Sequence, residues 1–484
     1  LSYQQVLGVN MWINSASKCL SWVRNLAEML QENSTDQDQL NCFTPVLKQI
    51  INPKHALCKL AGQINWLKLE RVLSKEYNHD QGRPAKPIRL MCSLLILKHL
   101  YDLSDEELIE QWIQNPYYQY FGGLGDFQWK QPCASSELVH FRYRIGKEGE
   151  ELIFTESIRV HDDPPASQGS STKRRGLKKE KRVYSDTTVE EKNITYPTDT
   201  KLYKAIAKTC HRIADQEGLK QRQRYSRTIP KLLLAQRFRH HPKNRKKALA
   251  AQRKLKTLAG RLLREVDRQL TWSGHRFLYI DFLKVGYQVL AQQKDSKNKI
   301  YSIHEPHVYC ISKGKEAKKY EFGCKVNVVW GESALILAAN HLKENVHDSK
   351  VIEPALRQFE RLHGYLPGEF IADKGYRGKG EVNGVKVSIP RPPTKSTSAY
   401  QKRKNKKKFR KRAGIEPVIS HLKSDFRLSR NFLAGVDGDR HNLMMAVSAF
   451  NFRKWIVAYQ ERMKKWYQFF STIFNQNNLC IKIF

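Results

Sequence analysis

From residue 84 onward apolar side chains recur at three- and four-residue spacing, which predicts helices. Pro87 suits a first helical turn, and Met91, Leu94, Leu95 and Leu97 line a face that runs to Tyr101. Ser104 with Glu107 forms a capping box and Leu103 with Leu108 a hydrophobic staple, so a second helix leads through Trp112 to Tyr117, Tyr118, Tyr120 and Phe121. A third starts near Ser135 and carries Leu138, Phe141 and Tyr143. The stretch 162–182 is rich in Pro, Gly, Ser and Lys and reads as a linker. Residues 183–189 then read as a strand centred on Asp186, and 199–270 return to a helical period. The apolar run 276–290 reads as another strand, around Asp281, and 319–342 alternate about a Trp-Gly-Glu turn as an antiparallel hairpin. A helix beginning near Asp348 has Val351, Ile352, Leu356 and Phe359 on its apolar face and stops at Gly364. Short strands follow at 370–373 and at 385–389, the latter ended by Pro390. One helix over 409–423 would put Phe409, Arg412, Glu416 and Lys423 on one face, and helical sequence resumes at 441–455. The order is that of an α/β layer with carboxylates at strand ends.

Composition narrows the class. The 484 residues include 40% hydrophobic positions, enough to build cores, and carry 85 basic against 47 acidic side chains, a formal net charge of +38. That imbalance predicts a polyanionic partner, with nucleic acid ahead of an anionic membrane surface. No run approaches a membrane span and no signal-peptide order opens the chain, so a cytoplasmic, DNA-associated protein is expected. Nine scattered cysteines without CxxC spacing argue against a zinc finger or a disulfide framework. His304, His307, His347 and His421 lack a zinc pattern and are assigned structural or solvent roles. Residues 1–10, before Met11, read as an upstream extension without assigned function.

Charge also locates candidate chemistry. Between Lys402 and Arg412 nearly every residue is Lys or Arg, and no acid falls between Glu381 and Glu416; this run is expected to be mobile without DNA. Displacement at phosphorus assisted by Mg²⁺ or Mn²⁺ needs about three carboxylates converging from separate elements. Asp373, delivered by an apolar strand and followed by Gly375, fits such a site, and so does Glu416 on its helix. For the first acid, periodicity narrowly favours Asp281 over Asp186.

Three sequence blocks in this order resemble bacterial DDE transposases of the insertion sequence 5 group. They are Asp186 with Asn193, Ile194, Tyr196, Pro197 and Asp199; Asp373 with Gly375 and Tyr376; and Arg412, Glu416 and Lys423, with Phe409 where Tyr is usual. The likeness covers roughly residues 60–455. It implies Asp186 as the first acid and an α/β fold: an RNase H-like catalytic core with a helical insertion after its first strand, behind an all-helical N-terminal domain. The implied division is an extension over 1–60, a helical domain over 61–150 that could bind DNA ends, a linker over 151–182, core over 183–198 and 301–455, a basic insertion over 199–300 and a tail over 456–484.

The resemblance further implies that Asp186, Asp373 and Glu416 hold two divalent ions, Mg²⁺ or Mn²⁺, for strand cleavage and strand transfer at the inverted repeats of an insertion sequence. Arg412 and Lys423 would neutralise phosphates, with Tyr376, Lys406, Lys407 and Lys408 as further DNA contacts. Partners are double-stranded DNA and a second copy of the chain, in a homodimer or larger synaptic complex. Alternatives are a non-catalytic, transposase-derived DNA-binding protein and a metal-dependent nuclease on the same fold.

Overall fold

The structure, a computed structural model, describes residues 45–77, 84–162, 179–293, 295–312, 319–378, 380–392, 394 and 397–480. The stretch 163–178, most of the expected linker, and residues 1–44 lie outside the described residues.

The first layer is helical. α1 (Ala56–Gln63), α2 (Trp66–Leu73), α3 (Ile88–Leu100), α4 (Asp105–Gln114), α5 (Pro116–Phe121) and α6 (Ser135–Arg159) follow in order. Apart from Arg89, every residue of α3 is buried, as a helix apolar on all sides must be. α4 opens with the expected capping box: Glu107 N donates to Ser104 Oγ at 3.1 Å, and Ser104 N to Glu107 Oε2 at 2.8 Å. Two boundaries differ from expectation. α1 buries Ala56, Leu57 and Leu60, so this layer begins before residue 61. α6 continues to Arg159, past the expected linker start at 151, because Ile153, Phe154 and Ile158 also face the core.

An eight-stranded mixed sheet forms the second layer. β1 (Arg182–Lys192) lies at its centre, antiparallel to β3 (Tyr320–Gly331) and parallel to β5 (Glu369–Ile371). β2 (Tyr309–Ser312) and β4 (Ile336–Leu342) pair β3 on its far edge, while β7 (Val385–Ser388) extends the parallel side. β6 (Glu381–Val382) pairs β7, and β8 (Arg430–Asn431) pairs the end of β1. The β3–β4 hairpin is the one expected around Trp330. At Gly323 a Cβ would fall 1.9 Å from Glu190 O, so only glycine permits the β1–β3 approach there.

Between β1 and β2 the chain leaves the sheet for α7 (Asp199–Gln216), α8 (Thr228–Leu234), α9 (Pro242–Trp272) and α10 (Ile280–Ala291). These helices have a core of their own, in which Leu202, Ile206 and Ile213 meet Leu262, Val266 and Leu283. Asp281 sits on α10, exposed, and not on a strand. The apolar run around it is helical because Phe282, Leu283, Gly286 and Val289 recur at three- and four-residue spacing and pack on α9.

After β4 come α11 (Ile352–His363), ended by Gly364 in the left-handed region at φ 71°, and, beyond β7, α12 (Ala399–Arg412), α13 (Ile415–Asp425) and α14 (Gly435–Cys480). α14 spans 46 residues and runs through the expected tail boundary at 456. Its Leu443, Met444, Val447, Phe450 and Phe452 join the helical layer and the sheet into one apolar cluster. Among the described residues no helix is long and apolar enough to cross a membrane.

Candidate active site

Asp186 stands opposite Val328 of β3, in the middle of the sheet's central strand. Its Oδ1 accepts from Thr187 N at 2.8 Å, and its Oδ2 lies 3.3 Å from Arg412 Nη2. On the other side of β1, Tyr184 is paired with Ile371, the last residue of β5, two residues before Asp373. Asp373 follows the end of β5 and caps a single turn at Lys374–Tyr376, accepting from Gly375 N at 2.8 Å.

Glu416 comes from the first turn of α13. The segment 409–423 is two helices and not one: Gly414 N bonds to Lys411 O and Glu416 N to Ala413 O, a tightened turn between α12 and α13. Ala413 and Gly414 nevertheless keep right-handed helical angles, so the four-residue spacing survives and Arg412 Nη1 lies 4.0 Å from Glu416 Oε1. Arg412, only 16% exposed, thus spans the gap between Asp186 and Glu416, which is itself 65% exposed.

The remaining nominees separate. Tyr376 is fully buried beneath the carboxylates, so it cannot present its phenol to DNA, contrary to expectation. Its hydroxyl donates to Asn327 Oδ1 at 3.0 Å, which also accepts from Ser185 Oγ at 2.7 Å. Burial pushes this phenol well up, and the charges of Asp186, Asp348 and Asp373 push the same way. Lys408 is also committed within the protein, donating to Glu369 Oε1 at 2.5 Å and Ser388 Oγ at 2.9 Å. Lys406 and Lys407 are exposed on α12. That run is a regular helix: Ser398 caps it by accepting from Gln401 N, and Lys408 and Lys411 tie it to Glu369 and Glu332. Lys423 is half-buried on α13, and its charge acts on the buried Glu190 of β1, whose carboxyl is raised by burial first and then by Asp439.

Asp348 joins the cluster without having been singled out in the sequence. It accepts from Thr187 Oγ1 at 3.1 Å and Lys325 Nζ at 2.9 Å. A Cβ on Gly375 would lie 2.8 Å from Asp348 Oδ2 and 3.0 Å from Asp373 Oδ1, so this glycine separates two carboxylates at close quarters. In the sequence Asp348 reads only as the start of a helix, and in the structure it opens a short turn capped by His347.

Two family models match the chain: Transposase domain (DUF772) over residues 45–144 and Transposase DDE domain over residues 291–452. The chain belongs to the bacterial DDE transposases. It is also 38% identical over 199 residues to "Uncharacterized protein ORF8 in nfe locus" of Rhizobium meliloti, a match spanning 41% of this chain and 92% of that relative. No solved structure matches. The transposase is therefore a DNA-cleaving and strand-transferring enzyme, and the family's divalent-metal dependence attaches to it. Asp373 and Glu416 fall inside the DDE match, whereas Asp186 lies in neither matched range. Its place in the cluster rests on its ion pair with Arg412 and on the neighbouring Thr187, whose hydroxyl donates to Asp348.

Proposed function

We propose that Asp186, Asp373 and Glu416 are the three catalytic carboxylates of a transposase of the insertion sequence 5 group, acting at the inverted-repeat ends of its element. The observation that carries the reading is the Arg412 guanidinium, a cation placed between Asp186 and Glu416, and the parallel β1–β5 pairing, which ends at Tyr184–Ile371 two residues short of both acids, supports Asp373 as their neighbour. The strand order β4-β3-β1-β5-β7, with an acid on the central strand, a second after its parallel neighbour and a third on a later helix, supports an RNase H-like core interrupted by the α7–α10 insertion.

The donor set suits hard divalent ions. Carboxylate oxygens without thiol or imidazole among the three acids favour Mg²⁺ or Mn²⁺. A pair of such ions supplies stabilisation of the attacking and leaving oxygens of an in-line displacement. Asp186 would hold them from the middle of β1 and Asp373 from just past the end of β5, and the exposed Glu416 closes the set from α13. Asn327, fixed by the Ser185 and Tyr376 hydroxyls, braces the strand backbone under Asp186. Arg412 neutralises phosphate charge at the scissile position. Exposed Lys406 and Lys407 extend this basic surface along α12 toward a DNA backbone, and two transposon ends require at least two copies of the chain.

The test is cleavage of a plasmid carrying the flanking inverted repeats, with purified protein and Mn²⁺. Cuts at the repeat ends are expected. Asp186→Asn, Asp373→Asn and Glu416→Gln should each lower them at least ~100-fold with DNA binding retained. Random nicking would favour the nuclease reading. An active Asp186→Ala variant would sink the assignment of the first acid.

A further inference from the structure

A second cluster lies toward the far end of β1, where Cys324 of β3 stands opposite Glu190, four residues or about 13 Å along the strand from Asp186. Asp439, near the start of α14, receives Lys192 Nζ and Asn431 Nδ2 on its Oδ1, the latter at 2.7 Å. Its Oδ2 faces a different set: His307 Nε2 at 2.8 Å, Cys324 Sγ at 3.3 Å and His341 Nε2 at 3.7 Å. Ligand atoms of His307, Cys324 and Asp439 all lie within 4.8 Å of one another. The His341 side chain is 5% exposed, and its Nε2 has no hydrogen-bond partner among the described residues. Burial, first, holds the His341 imidazole down at about 4, so it stays neutral with a nitrogen lone pair available.

We infer that His307, Cys324, His341 and Asp439 form a structural binding site for a zinc-class ion, distinct from the catalytic carboxylates. Two imidazole nitrogens, one sulfur and one carboxylate oxygen are a borderline-soft donor set, which selects Zn²⁺ over Mg²⁺. With metal–ligand bonds of about 2.0–2.3 Å, the edges of a tetrahedral site are roughly 3.4–3.7 Å. The Cys324 Sγ and His341 Nε2 separations from Asp439 Oδ2, 3.3 and 3.7 Å, are close to these edges, while the His307–Asp439 hydrogen bond has to open by about 0.6–0.9 Å and the His341 imidazole has to close on the other three ligands.

Charge permits the ion. Lys192 lies on the Oδ1 side and is shared with Glu305 at 3.5 Å, leaving Oδ2 facing the other donors. Lys192 and Asn431 orient the carboxylate from behind, as second-layer partners of metal ligands do. Burial and the Asp439 charge hold the Cys324 thiol protonated in the metal-free protein, so binding releases one proton from sulfur as the thiolate forms. The donors come from the segment before β2, from β3, from β4 and from α14, so the ion would pin α14 to the far edge of the sheet. Scattered across four elements, they leave no CxxC-type spacing, and that explains why His307 reads as an ordinary histidine in the sequence.

Full-length protein stripped with a chelator and titrated with Co²⁺ tests the site. One equivalent should bind with a thiolate-to-cobalt charge-transfer band, and stoichiometric Zn²⁺ should abolish that band. Cys324→Ser should lose the band, and His341→Gln should weaken binding at least tenfold. Asp373→Asn should leave the thiolate band unchanged. Absence of the band in the unsubstituted protein, or its persistence in Cys324→Ser, overturns the inference. The measurement on the unsubstituted protein decides the matter even if a substitution impairs folding.

Discussion

Arg412→Gln should tighten divalent-ion binding at the carboxylate cluster while slowing cleavage. The guanidinium lies 3.3 Å from Asp186 Oδ2 and 4.0 Å from Glu416 Oε1. An ion bound to those oxygens at about 2.1 Å would sit roughly 5 Å from the guanidinium charge. Repulsion between single and double positive charges at that distance is about 1.7 kcal/mol in a water-like dielectric, and larger in a drier site. Glu416 is 65% exposed, so the water-like figure applies, and it corresponds to a Kd lower by roughly tenfold. Isothermal titration of Mn²⁺ into the metal-free protein reads this directly, with Arg412→Lys as the variant that keeps the charge. Cleavage should fall in the glutamine variant, since the role proposed for the same cation is to neutralise phosphate charge in the reaction. Unchanged or weaker Mn²⁺ binding in Arg412→Gln, with folding intact, would refute the placement of the ions between Asp186 and Glu416.

Tyr376→Phe should cost about 1 kcal/mol in a denaturant titration, through the lost Asn327 bond, and leave DNA affinity unchanged in a gel-shift assay. Weakened DNA binding at unchanged stability would restore this residue to the DNA surface. Asn451→Leu should destabilise by about 2–4 kcal/mol, because the buried amide pairs both the N–H and the C=O of Ile336 at 3.0 Å and leucine would leave both unmet; a loss under ~0.5 kcal/mol in urea unfolding would contradict this. In the helical layer, burial would raise the Asp105 carboxyl, but Lys98 and Arg142 outweigh it and hold it well below the usual carboxylate range. A depressed folded value contributes stability that is present above the unfolded carboxyl, near pH 4, and is lost as pH falls toward the folded value. Asp105→Asn should therefore flatten the acid limb of the stability profile and cost about 3–5 kcal/mol at pH 7 by leaving two buried cations unpaired. An unaltered acid limb in pH-dependent unfolding would count against the triad.

Much of the site is legible where a local pattern and the proposed catalytic role coincide. Asp373 follows an apolar strand and precedes the glycine its turn needs, so strand and acid are read together. Glu416 keeps its spacing from Arg412 even though the helix tightens between them. Asp186 shows the opposite case. Its strand breaks into polar residues and looks weaker than the run around Asp281, yet it is the central strand, because its pairing partners β3 and β5 arrive from more than a hundred residues away. Asp281 misleads because the apolar residues immediately around it hide the three- and four-residue spacing of Phe282, Leu283, Gly286 and Val289 that makes the run helical. Tyr376 and Lys408 carry the right chemistry for DNA, but only tertiary contacts reveal that Asn327 and Glu369 already engage them. Asp348 and the His307–Cys324–His341–Asp439 group leave no linear signature, since their members meet only once the sheet has formed.

The sharing of α14 between the helical layer and the sheet has a thermodynamic consequence. Neither layer can lose that helix without exposing apolar surface of the other, so the two should melt as one cooperative unit. The α7–α10 insertion keeps its own separate core, and calorimetry should resolve it as an independent transition. A nick between Leu433 and Gly435 would then abolish the larger transition and spare the smaller one.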